Sequence, residues 1–176
     1  YASANGMQDI AAGIPMGTDT IFRIASQTKA IVSTGIMILH ERGALDIGHP
    51  LERYIPEWED MQVAVSNDDG GYSLEPSRRS ITLRNLLTHT GGMSYGSGPA
   101  ADKWEEAGFQ GWYFADRNEP VADTIARMAS LPLDEHPGER WIYGYNTDIL
   151  GAVIEKASGM DLNSFLRQEI FEPLDM

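Results

Sequence analysis

The hydrophobic positions of this chain fall mainly into helical periods. Ile31, Val32, Ile36, Met37, Ile38 and Leu39 make the stretch 26–42 apolar nearly all round, and Gly43 closes it. A helix without a polar face belongs in an interior, so 26–42 is expected to be covered on every side. Thr82 is expected to cap a short helix over 83–88, ended by Gly91 and Gly92. Pro120 stands where its missing N–H costs nothing, which predicts a helix over 121–130. Asn146 is expected to cap a helix over 147–157 closed by Gly159, and Asp161 to cap one over 162–171.

Strand signals are fewer. Residues 62–65 and Ile81 flank the polar loop Asn67-Asp68-Asp69-Gly70-Gly71, which reads as a hairpin tip. Calcium is a poor fit there, because no bidentate glutamate stands at loop position 12. Residues 1–25 read as turn-rich and extended, and 50–56 as a compact connection anchored by Leu51, Tyr54 and Ile55. Residues 97–119 are irregular and aromatic-rich. The picture is mostly helical, with few strands recognisable.

Composition bounds the picture further. A length of 176 residues with 42% hydrophobic and 22% charged residues suits one domain with a real core. The net charge of −13 disfavours nucleic acid and anionic membrane as partners. No run approaches 18 apolar residues, so no membrane span is expected. No secretory leader is visible, but Tyr1 is not methionine, so the native start can lie upstream. The compartment stays open, with the cytoplasm slightly favoured. Zero cysteines exclude disulfides and thiolate catalysis. No two histidines have metal-ligand spacing and no phosphate loop is present, so no metal or cofactor is expected.

Candidate chemistry begins at Ser26-Gln27-Thr28-Lys29. Residues three apart on a helix share a face, so the hydroxyl and the amine can meet. A serine hydroxyl is a weak nucleophile until a base takes its proton. Lys29 can be that base only if burial or a nearby cation lowers its pKa, and an apolar helix offers burial. The backbone N–H of Ser26, at a helix start, is a natural half of an oxyanion hole.

The segment from Thr18 through Ile24-Ala25-Ser26-Gln27-Thr28-Lys29 resembles the serine-lysine block of penicillin-recognising serine hydrolases. That superfamily includes class C β-lactamases, D-alanyl-D-alanine carboxypeptidases, 6-aminohexanoate-dimer hydrolases and the β-lactamase-like (family VIII) carboxylesterases. Leu86-Leu87-Thr88-His89-Thr90-Gly91-Gly92 resembles their "LLTHTSG" segment, with Gly91 where serine is usual. Pro137-Gly138-Glu139-Arg140-Trp141-Ile142-Tyr143, followed by Asp148-Ile149-Leu150-Gly151, resembles their tyrosine segment, and Pro173-Leu174-Asp175-Met176 their "PLGM" landmark.

The resemblance implies an α/β fold of the α+β type, β-lactamase/transpeptidase-like, with an antiparallel sheet flanked by helices plus a helical region. This chain would cover mainly the helical part of a single catalytic domain, with sheet portions lying before and after it. It would then associate with the remaining sequence of the enzyme or with another chain. The resemblance also implies catalysis by Ser26, Lys29 and Tyr143, with an acyl-enzyme on a small-molecule ester or amide substrate. It makes His89 structural and places the second oxyanion donor beyond the third motif. Small or medium esters are favoured, because the family's Tyr-x-Asn is Tyr143-Gly144-Tyr145 here and the amide that holds a lactam side chain is lost. A β-lactamase or D-amino-acid peptidase is the runner-up, and a non-catalytic binding or scaffold relative is a third reading. Trp104, Phe109, Trp112, Tyr113 and Phe114 are either the wall of an acyl pocket or the core of a small helical layer.

Gly92-Met93-Ser94-Tyr95-Gly96 satisfies the Gly-x-Ser-x-Gly pattern of another hydrolase class. That elbow needs a strand before its serine and a helix after it, and neither is expected here. Any triad would have to draw on His136 and Asp134. Ser94 is therefore expected to be an ordinary loop residue.

Overall fold

A computed structural model describes residues 1–115 and 117–176. The elements run β1 (Met7–Asp9), β2 (Ile14–Pro15), α1 (Thr28–Glu41), β3 (Gln62–Ser66), β4 (Tyr72–Pro76), α2 (Leu83–Leu87), α3 (Ala101–Glu106), α4 (Val121–Met128), α5 (Asn146–Ser158) and α6 (Leu162–Leu166). Short 3-10 turns join several of them. Strands pair in two antiparallel ribbons, β1 with β2 and β3 with β4, and Val63 of β3 adds a parallel bridge to Leu133.

Helix α5 is the axis of this arrangement. Its residues 149–154 are all buried, so it must be covered on several sides, and α1, α2, α4 and α6 pack around it. Gly35 lets α1 approach closely. A Cβ there would stand 3.0 Å from Ile154 and 3.2 Å from Phe165. Gly159, at φ +71°, ends α5 in the left-handed conformation that glycine adopts at little cost.

Helix α1 departs from the expectation of full cover. Val32, Gly35, Ile36 and Leu39 are buried against α5 and α6, while Met37 is 43% exposed. Ala30 and Thr34 are exposed on the same side as Met37. The helix also starts later than expected, because residues Ala25–Gln27 form a separate 3-10 turn.

The 67–71 turn is a hairpin tip, closed by the Asn67 N–H donating to the Gly71 carbonyl at 2.8 Å. The strand after the tip is Tyr72–Pro76 rather than the region of Ile81, and it is largely exposed. The Thr82 cap is present and reciprocal. Its hydroxyl accepts from the Asn85 N–H (3.2 Å), and the Asn85 side-chain Oδ1 accepts from the Thr82 N–H (3.0 Å). The end of α2 is not made by Gly91 and Gly92. His89 takes the left-handed conformation (φ +55°) just after the helix, and Gly92 instead lets the backbone pass close to the Glu135 carbonyl. Asp161 caps α6 through the Ser164 N–H (2.9 Å), but the regular helix stops at Leu166 and continues as a wider turn to Phe171.

Candidate active site

Ser26 lies in the 3-10 turn that leads into α1, directly after Ala25 at φ +46°. An alanine in that region costs roughly 1–3 kcal/mol, which surrounding structure must offset. One helical turn on, Lys29 points its Nζ to within 3.4 Å of Ser26 Oγ. The Tyr143 hydroxyl, 117 residues away in sequence, donates to Ser26 Oγ at 2.7 Å. The structure therefore brings together all three residues singled out in the sequence.

Tyr143 is held by a seam between two loops. The Ile142 N–H donates to the His89 carbonyl (2.8 Å) and the Gly138 N–H to the Thr90 carbonyl (2.7 Å). Beneath them Asn146 is fully buried, and its amide nitrogen reaches the Ile142 carbonyl (3.3 Å), the Met93 carbonyl (3.4 Å) and His89 Nδ1 (3.2 Å). Asn146 is thus not a helix cap, as its place in the sequence suggested. Tyr145 occupies the cap position without a side-chain cap bond, and Asn146 is the first helical residue. This placement bears on Gly91. A Cβ at 91 would stand 2.5 Å from Asn146 Oδ1, so the glycine makes room for the displaced amide.

The electrostatics correct the expected role of Lys29. Burial does pull its pKa down, but it is only partly buried, and hydrogen bonding to Tyr143 and Tyr95 outweighs that effect and holds the pKa above its ordinary value. Tyr143 moves the opposite way. Its hydrogen bond with Ser26, followed by that with Lys29, lowers its pKa. Lys29 therefore holds its proton more tightly, and Tyr143 releases its own more readily, than either group would alone. His89 is kept neutral by burial and by the Lys29 charge.

A cavity of about 740 Å³ opens beside Ser26, walled by Trp112, Tyr113, Phe114, Val121 and Tyr145. The aromatic stretch thus divides its labour. Trp104 and Phe109 belong to the core, Trp112 and Phe114 line the cavity, and Tyr113 does both. Tyr145 is 1% exposed, stacks on Trp104 and donates its hydroxyl to the Gly111 carbonyl at 3.0 Å. It ties the aromatic wall to the start of α5.

Sequence reasoning missed Asp148, although it stands in the quoted tyrosine segment. It lines the cavity, and burial pushes its pKa up to about 6 against the opposing pull of Lys29. An unfolded carboxyl titrates near 3.9, so the folded pKa is raised. Stability linked to this group is therefore fully present below about pH 4 and is lost as pH rises through about 6. Asp148→Asn should be more stable than the parent by about 1–3 kcal/mol at pH 8 and equal to it near pH 3.5. Thermal unfolding of both proteins across that range checks this, and a stability gap independent of pH would sink it.

Ser94 stands in a different setting. It is 7% exposed, its N–H donates to Asp134 at 2.6 Å, and its hydroxyl accepts from the Ser97 N–H at 3.0 Å. Asp134 and His136 are buried nearby in the chain, but His136 Nδ1 faces the Arg78 N–H (3.4 Å) rather than a serine. Among the described residues no serine-histidine bond forms there. Ser94 is a loop residue, as its context suggested.

A family model described as Beta-lactamase matches residues 1–176. The chain belongs to the Beta-lactamase family. The family's β-lactamase/transpeptidase-like fold is matched by solved structures. EstCE1, described as a hydrolase with promiscuous acyltransferase activity, superposes with a TM-score of 0.80 at 26% identity, covering 100% of this chain and 43% of that one. Esterase EstB of Burkholderia gladioli is 35% identical over 100% of this chain and 42% of its own length. Monacolin J acid methylbutanoyltransferase of Aspergillus terreus is 35% identical over 91% of this chain and 38% of its own length. The chain thus spans about two fifths of the length of these curated relatives. Among the described residues, no helix is long and apolar enough to cross a membrane.

Proposed function

We propose that this chain carries the nucleophile and proton-transfer machinery of a serine hydrolase that forms an acyl-enzyme on small or medium carboxylic esters. The observation that carries this reading is the meeting of Tyr143 and Lys29 on Ser26 Oγ, at 2.7 and 3.4 Å, beside an apolar cavity. As Ser26 Oγ bonds to the ester carbonyl carbon, its proton passes to the Tyr143 phenolate. The Ser26 N–H, in the turn that leads into α1, would donate to the oxygen that gains charge. The tetrahedral adduct collapses, the C–O bond to the alcohol breaks, and Tyr143 returns the proton to the leaving oxygen. Water repeats the cycle on the acyl-enzyme. Lys29, kept as ammonium, stabilises the phenolate throughout.

Two features support esters over lactams. Tyr145 is buried and bonded to Gly111 where the resemblance places an amide for a lactam side chain. The cavity walls are aromatic and aliphatic, suited to an uncharged acyl group. The esterase and acyltransferase names of the relatives agree, and transfer to an alcohol in place of water is the second reading they favour. In direct comparison, p-nitrophenyl butyrate should show the higher kcat/KM and nitrocefin the lower. The reverse order would move the protein to the lactamase reading.

The chain is read as part of a single catalytic domain. Ile21 (95% exposed), Phe22 (63%) and Met37 (43%) are exposed apolar side chains that sheet strands from further sequence or another chain would cover. The same region would supply the second oxyanion donor.

A further inference from the structure

Two departures from the family pattern meet at His89. Gly91 stands where serine is usual, and Tyr145 takes the asparagine position, with Asn146 one residue on. Asn146 is fully buried, and its Oδ1, on the Gly91 side, has no hydrogen-bond partner among the described residues. Its Nδ2 faces the Met93 carbonyl (3.4 Å), the Ile142 carbonyl (3.3 Å) and, closer than either, His89 Nδ1 (3.2 Å). Turning the amide over would set Oδ1 against both carbonyls, so the nitrogen is the atom that faces the histidine. An amide nitrogen donates and does not accept. His89 Nδ1 must therefore be bare, which leaves the ring proton on Nε2.

His89 also shapes the place that Tyr143 occupies. Its backbone is left-handed at φ +55°, a region that histidine and asparagine enter more readily than most residues. Its carbonyl accepts the Ile142 N–H at 2.8 Å, one residue before Tyr143. Its ring lies 4.8 Å from the Tyr143 ring, tilted by 37°, and 6.0 Å from that of Trp141. Through Asn146 it is joined to the Ile142 carbonyl as well. A proton added at Nδ1 would point an N–H at an N–H and break that link. It would also set a second cation near Lys29, whose charge already opposes it.

Resting on the serine hydrolase reading above, we propose that His89 is a positioning residue for Tyr143 that works only as the neutral Nε2–H tautomer, so that a proton on Nδ1 disengages Tyr143 from Ser26. The charged group that the imidazole feels is Lys29 on α1, and the titratable side chain in ring contact is Tyr143, ahead of α5. Beyond them, Tyr95 meets Tyr143 edge-on at 5.7 Å, and Asp148 on α5 lines the cavity with Lys29. Burial and the Lys29 charge both act against a charged imidazole, which places its titration below the ordinary histidine range. The acid side of the activity profile then depends on two protons, one on Tyr143 and one on His89.

The test starts on the unmutated full-length enzyme carrying isotope-labelled histidine. Long-range proton–nitrogen spectra should show His89, recognised as the signal absent from His89→Asn, with its proton on Nε2 and neutral below about pH 6.5. On p-nitrophenyl butyrate, the acid limb of log kcat should reach a slope of about 2 in the parent and about 1 in His89→Asn, which cannot take the second proton. His89→Phe keeps a ring on Tyr143 but offers Asn146 no acceptor. It should lower kcat by roughly 10-fold, with KM changed less than about 3-fold. Asparagine suits the left-handed backbone and returns an acceptor where Nδ1 stood, so His89→Asn should recover most of that loss. A proton found on Nδ1, a parental slope of about 1, or equal losses in the two variants overturns the positioning role. Failure of the underlying reading shows instead as turnover that survives Ser26→Ala.

Discussion

Ser26→Ala should remove turnover and abolish labelling by a fluorophosphonate probe, whereas Ser94→Ala should keep activity within severalfold. The expected loss is on the order of 10⁴-fold or more, as for removal of a nucleophile whose partners work with it as a unit. The asymmetry follows from where the two hydroxyls point. Ser26 Oγ is exposed at the cavity and touched by two proton carriers, while Ser94 Oγ is spent on the Ser97 N–H inside a turn. Peptide mapping of the labelled protein identifies the site directly. Labelling that persists in Ser26→Ala and disappears in Ser94→Ala would reverse the assignment.

The second large effect concerns the pair that serves Ser26. Lys29→Ala should cost roughly 10²–10⁴-fold in kcat, the usual range for a general acid–base group. Tyr143→Phe should cost a similar amount, and the double variant little more than either alone. The reason is mutual dependence. Tyr143 is acidified partly by Lys29, and Lys29 is held charged partly by Tyr143, so removing either leaves the other without its function. The sign of the pH dependence follows from the same shifts. The proposed mechanism needs Tyr143 without its proton and Lys29 with its own, so kcat should rise through the lowered tyrosine pKa and fall again through the raised lysine pKa. Strict additivity of the two losses, seen in steady-state kinetics on the four proteins, would be the outcome that counts against a shared unit.

Much of this site was legible because its chemistry is local. Ser26 and Lys29 are three residues apart, and helical spacing alone puts them within reach. Thr82 announced its helix because a capping box is written in four consecutive residues. Tyr143 needed more, since nothing local distinguishes it from Tyr145. The resemblance to a family segment picked it, and the seam from His89 to Ile142 shows how it comes to face the serine.

What stayed hidden depends on contacts between distant segments. Asn146 reads as a cap, yet its amide is drawn into the core by His89, Met93 and Ile142, which no local pattern contains. Lys29 reads as a buried amine of lowered pKa, but two tyrosine hydroxyls from separate loops surround it and reverse the sign. Helix α1 looked uniformly interior because its residues are apolar, while burial depends on what α5 and α6 actually cover.

The sequence by itself therefore determined the family, the helices with strong caps and the meeting of Ser26 with Lys29, because short-range spacing and capping chemistry are properties of a few adjacent residues. Only the tertiary structure decided which hydroxyls surround Lys29, which aromatic rings line the cavity and how the proton is shared. Those depend on the electric field and the packing made by residues up to 117 positions apart, and a field of that kind exists only once the chain has folded.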